Sequence, residues 1–105
     1  MPLTADALRA WLKNLPPNQW VGHPRSPVCC TLANYLNSFG VGTWWTNEKI
    51  LSCIDDKCRQ TQAVLTPTWA KRFIERHDAS RGEITARRAL KILDEIQNPV
   101  RQHDR

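Results

Sequence analysis

The first apolar positions of the chain fall at helical spacing. Ala5, Leu8, Trp11, Leu12 and Leu15 form one stripe, and Asp6, Arg9 and Lys13 lie opposite. Thr4 is placed to accept from the free N–H groups of the first turn, and Leu3 to staple onto Leu8. Pro16-Pro17 stops the helix. Residues 16–25 read as an irregular loop anchored in the core by Trp20 and Val21. Ser26-Pro27 is a cap followed by proline at the first helical position, and Gly40 closes the second helix. Its apolar arc is Val28, Cys29, Leu32, Ala33, Tyr35, Leu36 and Phe39; its polar arc is Cys30, Thr31, Asn34, Asn37 and Ser38. A helix turns about 100° per residue, so the adjacent cysteines diverge, Cys29 inward and Cys30 outward.

The period then changes. Val41–Thr46, Lys49–Ile54 and Gln60–Leu65 are short β-rich segments that predict a three-stranded antiparallel meander. Alternation sends Trp44 and Trp45 to opposite faces, one under helices and the other toward solvent or a partner. Thr66-Pro67 repeats the cap-then-proline device for a third helix running to about His77. That helix turns Trp69, Ala70, Phe73 and Ile74 inward and Lys71, Arg72, Glu75 and Arg76 outward. Thr85 caps a fourth helix that ends before Asn98-Pro99. Its apolar face is Ala86, Ala89, Leu90, Ile92, Leu93 and Ile96; Arg87, Arg88, Lys91, Asp94 and Glu95 face water. The expectation is one small α+β domain over residues 1–98, in the order α-α-β-β-β-α-α, with a flexible tail at 99–105.

Length and composition fit that picture: 105 residues make one domain by the usual prior, and 41% apolar residues, five of them tryptophan, supply a core. Asp6, Arg9 and Lys13 break up what a secretory leader would need as an apolar run, and no run approaches the ~20 residues of a membrane span. A cytoplasmic protein with reduced thiols and no membrane partner is expected. The net charge of +5 favours acidic partners, although basic residues are spread from Arg9 to Arg105 with acids between them.

The four cysteines raise three chemistries. A zinc site would draw on Cys29, Cys30, Cys53, Cys58 or His23, with Cys53 and Cys58 the better-spaced pair. The divergence of Cys29 and Cys30 argues against it, and no metal or cofactor is expected. Cys53 and Cys58 would face each other and be able to bridge if Ile54 to Lys57 formed a hairpin loop; in a reducing compartment two free thiols are expected. Cys30, near a helix N-terminus with His23 and Arg25 before it, has the setting of an activated thiol but lacks an orienting acid and an oxyanion loop. His77, near the end of the third helix, reads as a half-buried residue interacting with the helix dipole.

Two binding readings remain. Lys71, Arg72 and Arg76, with Arg87, Arg88 and Lys91, suggest a basic surface that nucleic acid would accept. The long link between the two helices, the interrupting Glu75, Asp94 and Glu95, and few base-reading side chains weaken that reading. Tryptophan and arginine are the residue types that dominate protein interfaces. The sequence therefore favours a non-enzymatic binding protein. It meets an acidic protein surface through Trp44 or Trp45, steered by those basic helix faces. Nucleic-acid binding is the alternative, and a cysteine-dependent or metal-binding protein the third.

Overall fold

A computed structural model describes residues 3–26, 30–40 and 42–97. The order is α1 (Ala5–Lys13), β1 (Trp20–Gly22), α2 (Thr31–Asn37), β2 (Thr43–Thr46), β3 (Ile50–Ile54), β4 (Gln60–Leu65), α3 (Thr68–Asp78), β5 (Ile84–Thr85) and α4 (Ala86–Gln97). Strands β2, β3 and β4 form the expected antiparallel meander, and β1 pairs with β5 in a second, two-stranded sheet. The fold is α+β. No helix among the described residues is long and apolar enough to cross a membrane.

The core gathers one face of each helix. Leu8 and Leu12 of α1, Leu32 and Leu36 of α2, Phe73 of α3, and Ile92 and Leu93 of α4 are fully buried with Trp44 and Leu51 of the larger sheet. The Trp11 ring meets Tyr35 edge-on at 5.5 Å, which ties α1 to α2. Thr4 caps α1 as expected, its Oγ1 accepting from Ala7 N at 3.1 Å.

The small sheet is the element the sequence conceals. Residues 16–25 are not wholly irregular: Val21 is buried, but Trp20 is 41% exposed and not a core anchor. Beyond the Trp20–Thr85 pair, Ala86 N donates to Gln19 O at 2.9 Å and Arg87 N to Pro17 O at 3.0 Å. Thr85 Oγ1 then accepts from Arg88 N at 3.2 Å. Three N–H groups that a helix start leaves open are thus satisfied, two of them by the chain that follows α1.

Helix α2 starts later than the Ser26-Pro27 signal predicts. Cys30 N donates to Ser26 O at 3.1 Å, but regular helix begins at Thr31, with Cys30 itself as N-cap. Val28 and Cys29 lie outside the described residues, as do Val41 and the tail from residue 98 onward. Most of the polar arc of this helix is turned away from water, Ser38 at its end being the exposed member. Asn34 Nδ2 donates to Val21 O at 2.6 Å, and Asn37 Oδ1 accepts from Trp44 N at 2.7 Å, so α2 is sewn to a strand of each sheet. Phe39, expected on the buried arc, lies past the helix end and is 41% exposed. Thr66 does not cap α3. Its N donates to Lys49 O and its Oγ1 to Asn47 O, which extends the sheet, and Pro67 stands at the N-cap without a side-chain bond.

Candidate functional site

The meander presents two unlike faces. Trp44, Cys53 and Gln62 form one cross-strand row, and Thr46, Leu51 and Val64 the next. On this inner face Trp44, Cys53 and Leu51 are fully buried, with α2 packed against β2. The opposite face carries Trp45, Ser52 and Ala63 in one row and Ile50 with Leu65 in the next. There Trp45 is 48% exposed, Ile50 37% and Leu65 84%. Every residue of β4 is exposed, including Val64 on the inner side. Helix cover thus stops short of β4, which is an edge strand without a charge or a proline along its length.

Both hairpins are set by local side chains. Asn47 Oδ1 accepts from Lys49 N at 2.7 Å and Ile50 N at 2.8 Å, a turn that fixes the β2–β3 register. Asp55 Oδ1 accepts from Lys57 N and Arg59 N, each at 2.9 Å, and holds the β3–β4 turn. That turn carries Cys58, exposed and at φ 62°. Cys53 sits opposite Gln62 and not Cys58, so the geometry proposed for a bridge between them does not arise.

Cys30 faces inward, not outward. It is 4% exposed; its Sγ lies 2.9 Å from Thr46 Oγ1 and accepts from Ala33 N at 3.4 Å. The late helix start explains this, because the N-cap residue is turned by its extended backbone toward the inner sheet face. Burial pushes the thiol above its ordinary pKa, against the weaker lowering by those hydrogen bonds. A protonated buried sulfur is the opposite of an activated nucleophile. His23 is exposed, edge-on to the Trp20 ring at 5.3 Å.

Next to Cys30, a hydroxyl, an imidazole and a carboxylate stand in series. Thr31 Oγ1 is 2.7 Å from His77 Nε2, Thr31 N donates to the same nitrogen at 3.3 Å, and His77 Nδ1 lies 3.5 Å from Asp78 Oδ1. Since Nε2 accepts from a backbone N–H, the imidazole proton resides on Nδ1. Asp78 Oδ1 also accepts from Arg25 N at 2.7 Å. The order resembles a catalytic relay, but Thr31 and His77 are fully buried. Gly22 closes the approach: a Cβ there would stand 2.4 Å from Thr31 N and 2.8 Å from Thr31 Oγ1. The group is a clasp between α2, α3 and the entry loop. Burial holds the His77 pKa below the ordinary imidazole range, with Asp78 opposing it more weakly. His77 is therefore a wholly buried neutral imidazole and not a half-buried dipole partner. A cleft of about 400 Å³ adjoins the clasp, with Cys30 and Thr46 inside and Arg25, Glu48, Lys49 and Asp78 at its margins.

The expected basic surface divides. Lys71 and Arg72 are exposed on α3, whereas Arg76 pairs with Glu95 at 3.3 Å. Arg88 reaches Ser80 Oγ at 3.5 Å. Arg87 and Lys91 turn the other way, into a groove shared with α1. Among the described residues no three His, Cys, Asp or Glu side chains gather into a metal-holding cluster. The sequence reading missed the exposure of Ile50 and Leu65 beside Trp45. The alternation through β3 and β4 does carry that signal, once β4 is known to lie at the edge. Comparison with family models, curated proteins and solved structures gives no match to this chain.

Proposed function

We propose that the chain acts by binding another protein, and that contact is made on the outer face of the three-stranded sheet around Trp45. The observation that carries this reading is the grouping of Trp45, Ile50 and Leu65, all exposed, on adjoining positions of one face. Single exposed apolar residues are ordinary, but a contiguous group that includes a tryptophan is the composition of an interface centre. The uncovered β4 edge adds a row of backbone groups able to pair with a partner strand. The net charge of +5 favours an acidic partner surface and speeds encounter with it; Lys71 and Arg72 contribute without ion pairs of their own among the described residues. The reading requires no chemistry at Cys30.

The test is capture from a lysate of the host organism by immobilised wild-type protein and by the Trp45→Ser and Leu65→Ser variants, with and without nuclease. We expect one or more proteins retained after nuclease treatment and reduced about tenfold by either substitution. Capture that disappears with nuclease, or that both variants retain in full, overturns the reading.

A further inference from the structure

Helices α1 and α4 are held together at two places. Near the C-terminus of α4, Arg9 pairs with Asp94 at 2.5 Å and also reaches Gln97 Oε1. Near its N-terminus, the backbone bonds from Ala86 N and Arg87 N fix α4 to the chain that follows Pro16. Between these clamps lies a groove of about 440 Å³, with Leu12, Leu15, Pro17 and Leu90 among its lining and Lys13, Arg87 and Lys91 beside them. Asp94 is the one acid among the described lining residues, and Arg9 already neutralises it. Lys13, Arg87 and Lys91 have no ion pair among the described residues, so the groove combines an apolar lining with three uncompensated positive charges. Arg87 and Lys91 stand at i and i+4, a like-charge spacing that is unfavourable within a helix. The same spacing matches two carboxylates one helical turn apart on a facing helix.

We propose that this groove binds a short acidic amphipathic helix of a partner protein. Its apolar side chains seat on Leu15, Pro17 and Leu90, with the buried Leu12 forming the floor beneath them, and its carboxylates meet Lys13, Arg87 and Lys91. Charge complementarity selects the occupant: a second copy of this chain, itself carrying +5, brings repulsion to a rim that is already basic. The volume suits a few inserted side chains of a helix laid along the groove. This site is formed by α1 and α4 and does not involve the residues around Trp45, so neither reading depends on the other.

The probe is a synthetic peptide of about 15 residues, long enough to form helix. It is built from Leu, Glu and Ala, with Leu at three- and four-residue spacing and Glu pairs at i,i+4 beside them. A peptide with Lys for every Glu and sodium dodecanoate are the comparisons. Binding to the full chain labelled with nitrogen-15 is followed by amide shifts. We expect the acidic peptide to move amides of Leu12, Lys13, Leu15, Leu90 and Lys91, and the Lys peptide to leave them in place. The Arg87→Glu/Lys91→Glu variant should bind about tenfold more weakly. Lys13→Glu should weaken binding in the same direction from the other helix. Undiminished binding by both variants, shifts confined to the Trp45 face, or binding of dodecanoate without the peptide overturns the proposal.

Discussion

At the scale of single residues, the buried polar groups make the sharpest statements. His77 is neutral because Thr31 N occupies its Nε2 and burial disfavours charge. Its folded pKa lies below the unfolded one near 6.5. The unfolded chain therefore takes up the proton first as pH falls. The clasp's contribution is complete above that unfolded value and is lost as pH falls toward the folded one. We expect the urea midpoint to drop between pH 7.5 and pH 5, and the part of the drop due to His77 to vanish in His77→Gln. Thr31→Val removes the hydroxyl from the imidazole and should cost about 1–2 kcal/mol by chemical denaturation. Cys30→Ala deletes both the α2 cap and the partner of Thr46, with a similar expected loss of about 1–2 kcal/mol. The cysteines differ in access. Cys58 should react promptly with a thiol reagent in the native protein, so Cys58→Ser removes one fast-reacting group, while Cys30 and Cys53 react only on unfolding.

At the scale of elements, the joint between β1 and the start of α2 leaves no room for an added side chain. A Cβ on Gly22 would lie 2.9 Å from the Cys30 carbonyl carbon, besides its contacts to Thr31, and most of these neighbours are backbone that cannot swing aside. Gly22→Ala should lower stability by about 1–3 kcal/mol, read from the denaturation midpoint. Strand β4 lies at the other extreme. Leu65 packs on so little that Leu65→Ser should change stability by no more than about 0.5 kcal/mol. Much of this architecture is legible in the sequence. The stripe from Ala5 to Leu15, the alternation through Trp44 and Trp45 and the Thr85 cap each encode their element locally. What the sequence conceals depends on partners distant along the chain. Trp20 to Gly22 become a strand only because Ile84-Thr85 lies alongside. Thr31 looks polar until His77 and Gly22 enclose it, and Cys30 looks exposed if the helix is begun at Pro27. For the candidate site, alternation separates Trp44 from Trp45, but it does not disclose that β4 is bare on both faces.

At the scale of the whole molecule, the protein is a well-packed helical core from which one sheet edge extends uncovered, with basic groups on several surfaces. Among the described core residues, burial keeps the Cys30 thiol protonated and encloses Thr31 and His77. The two binding sites we propose, the sheet face and the α1–α4 groove, are separate places on the surface. Amide hydrogen exchange resolves them in one experiment, comparing the free protein with the protein bound to its captured partner. We expect slowed exchange at Trp45 and across residues 60–65, where the free edge strand has nothing covering it. Unchanged exchange over the whole of β2, β3 and β4 in the bound state contradicts recognition through the sheet.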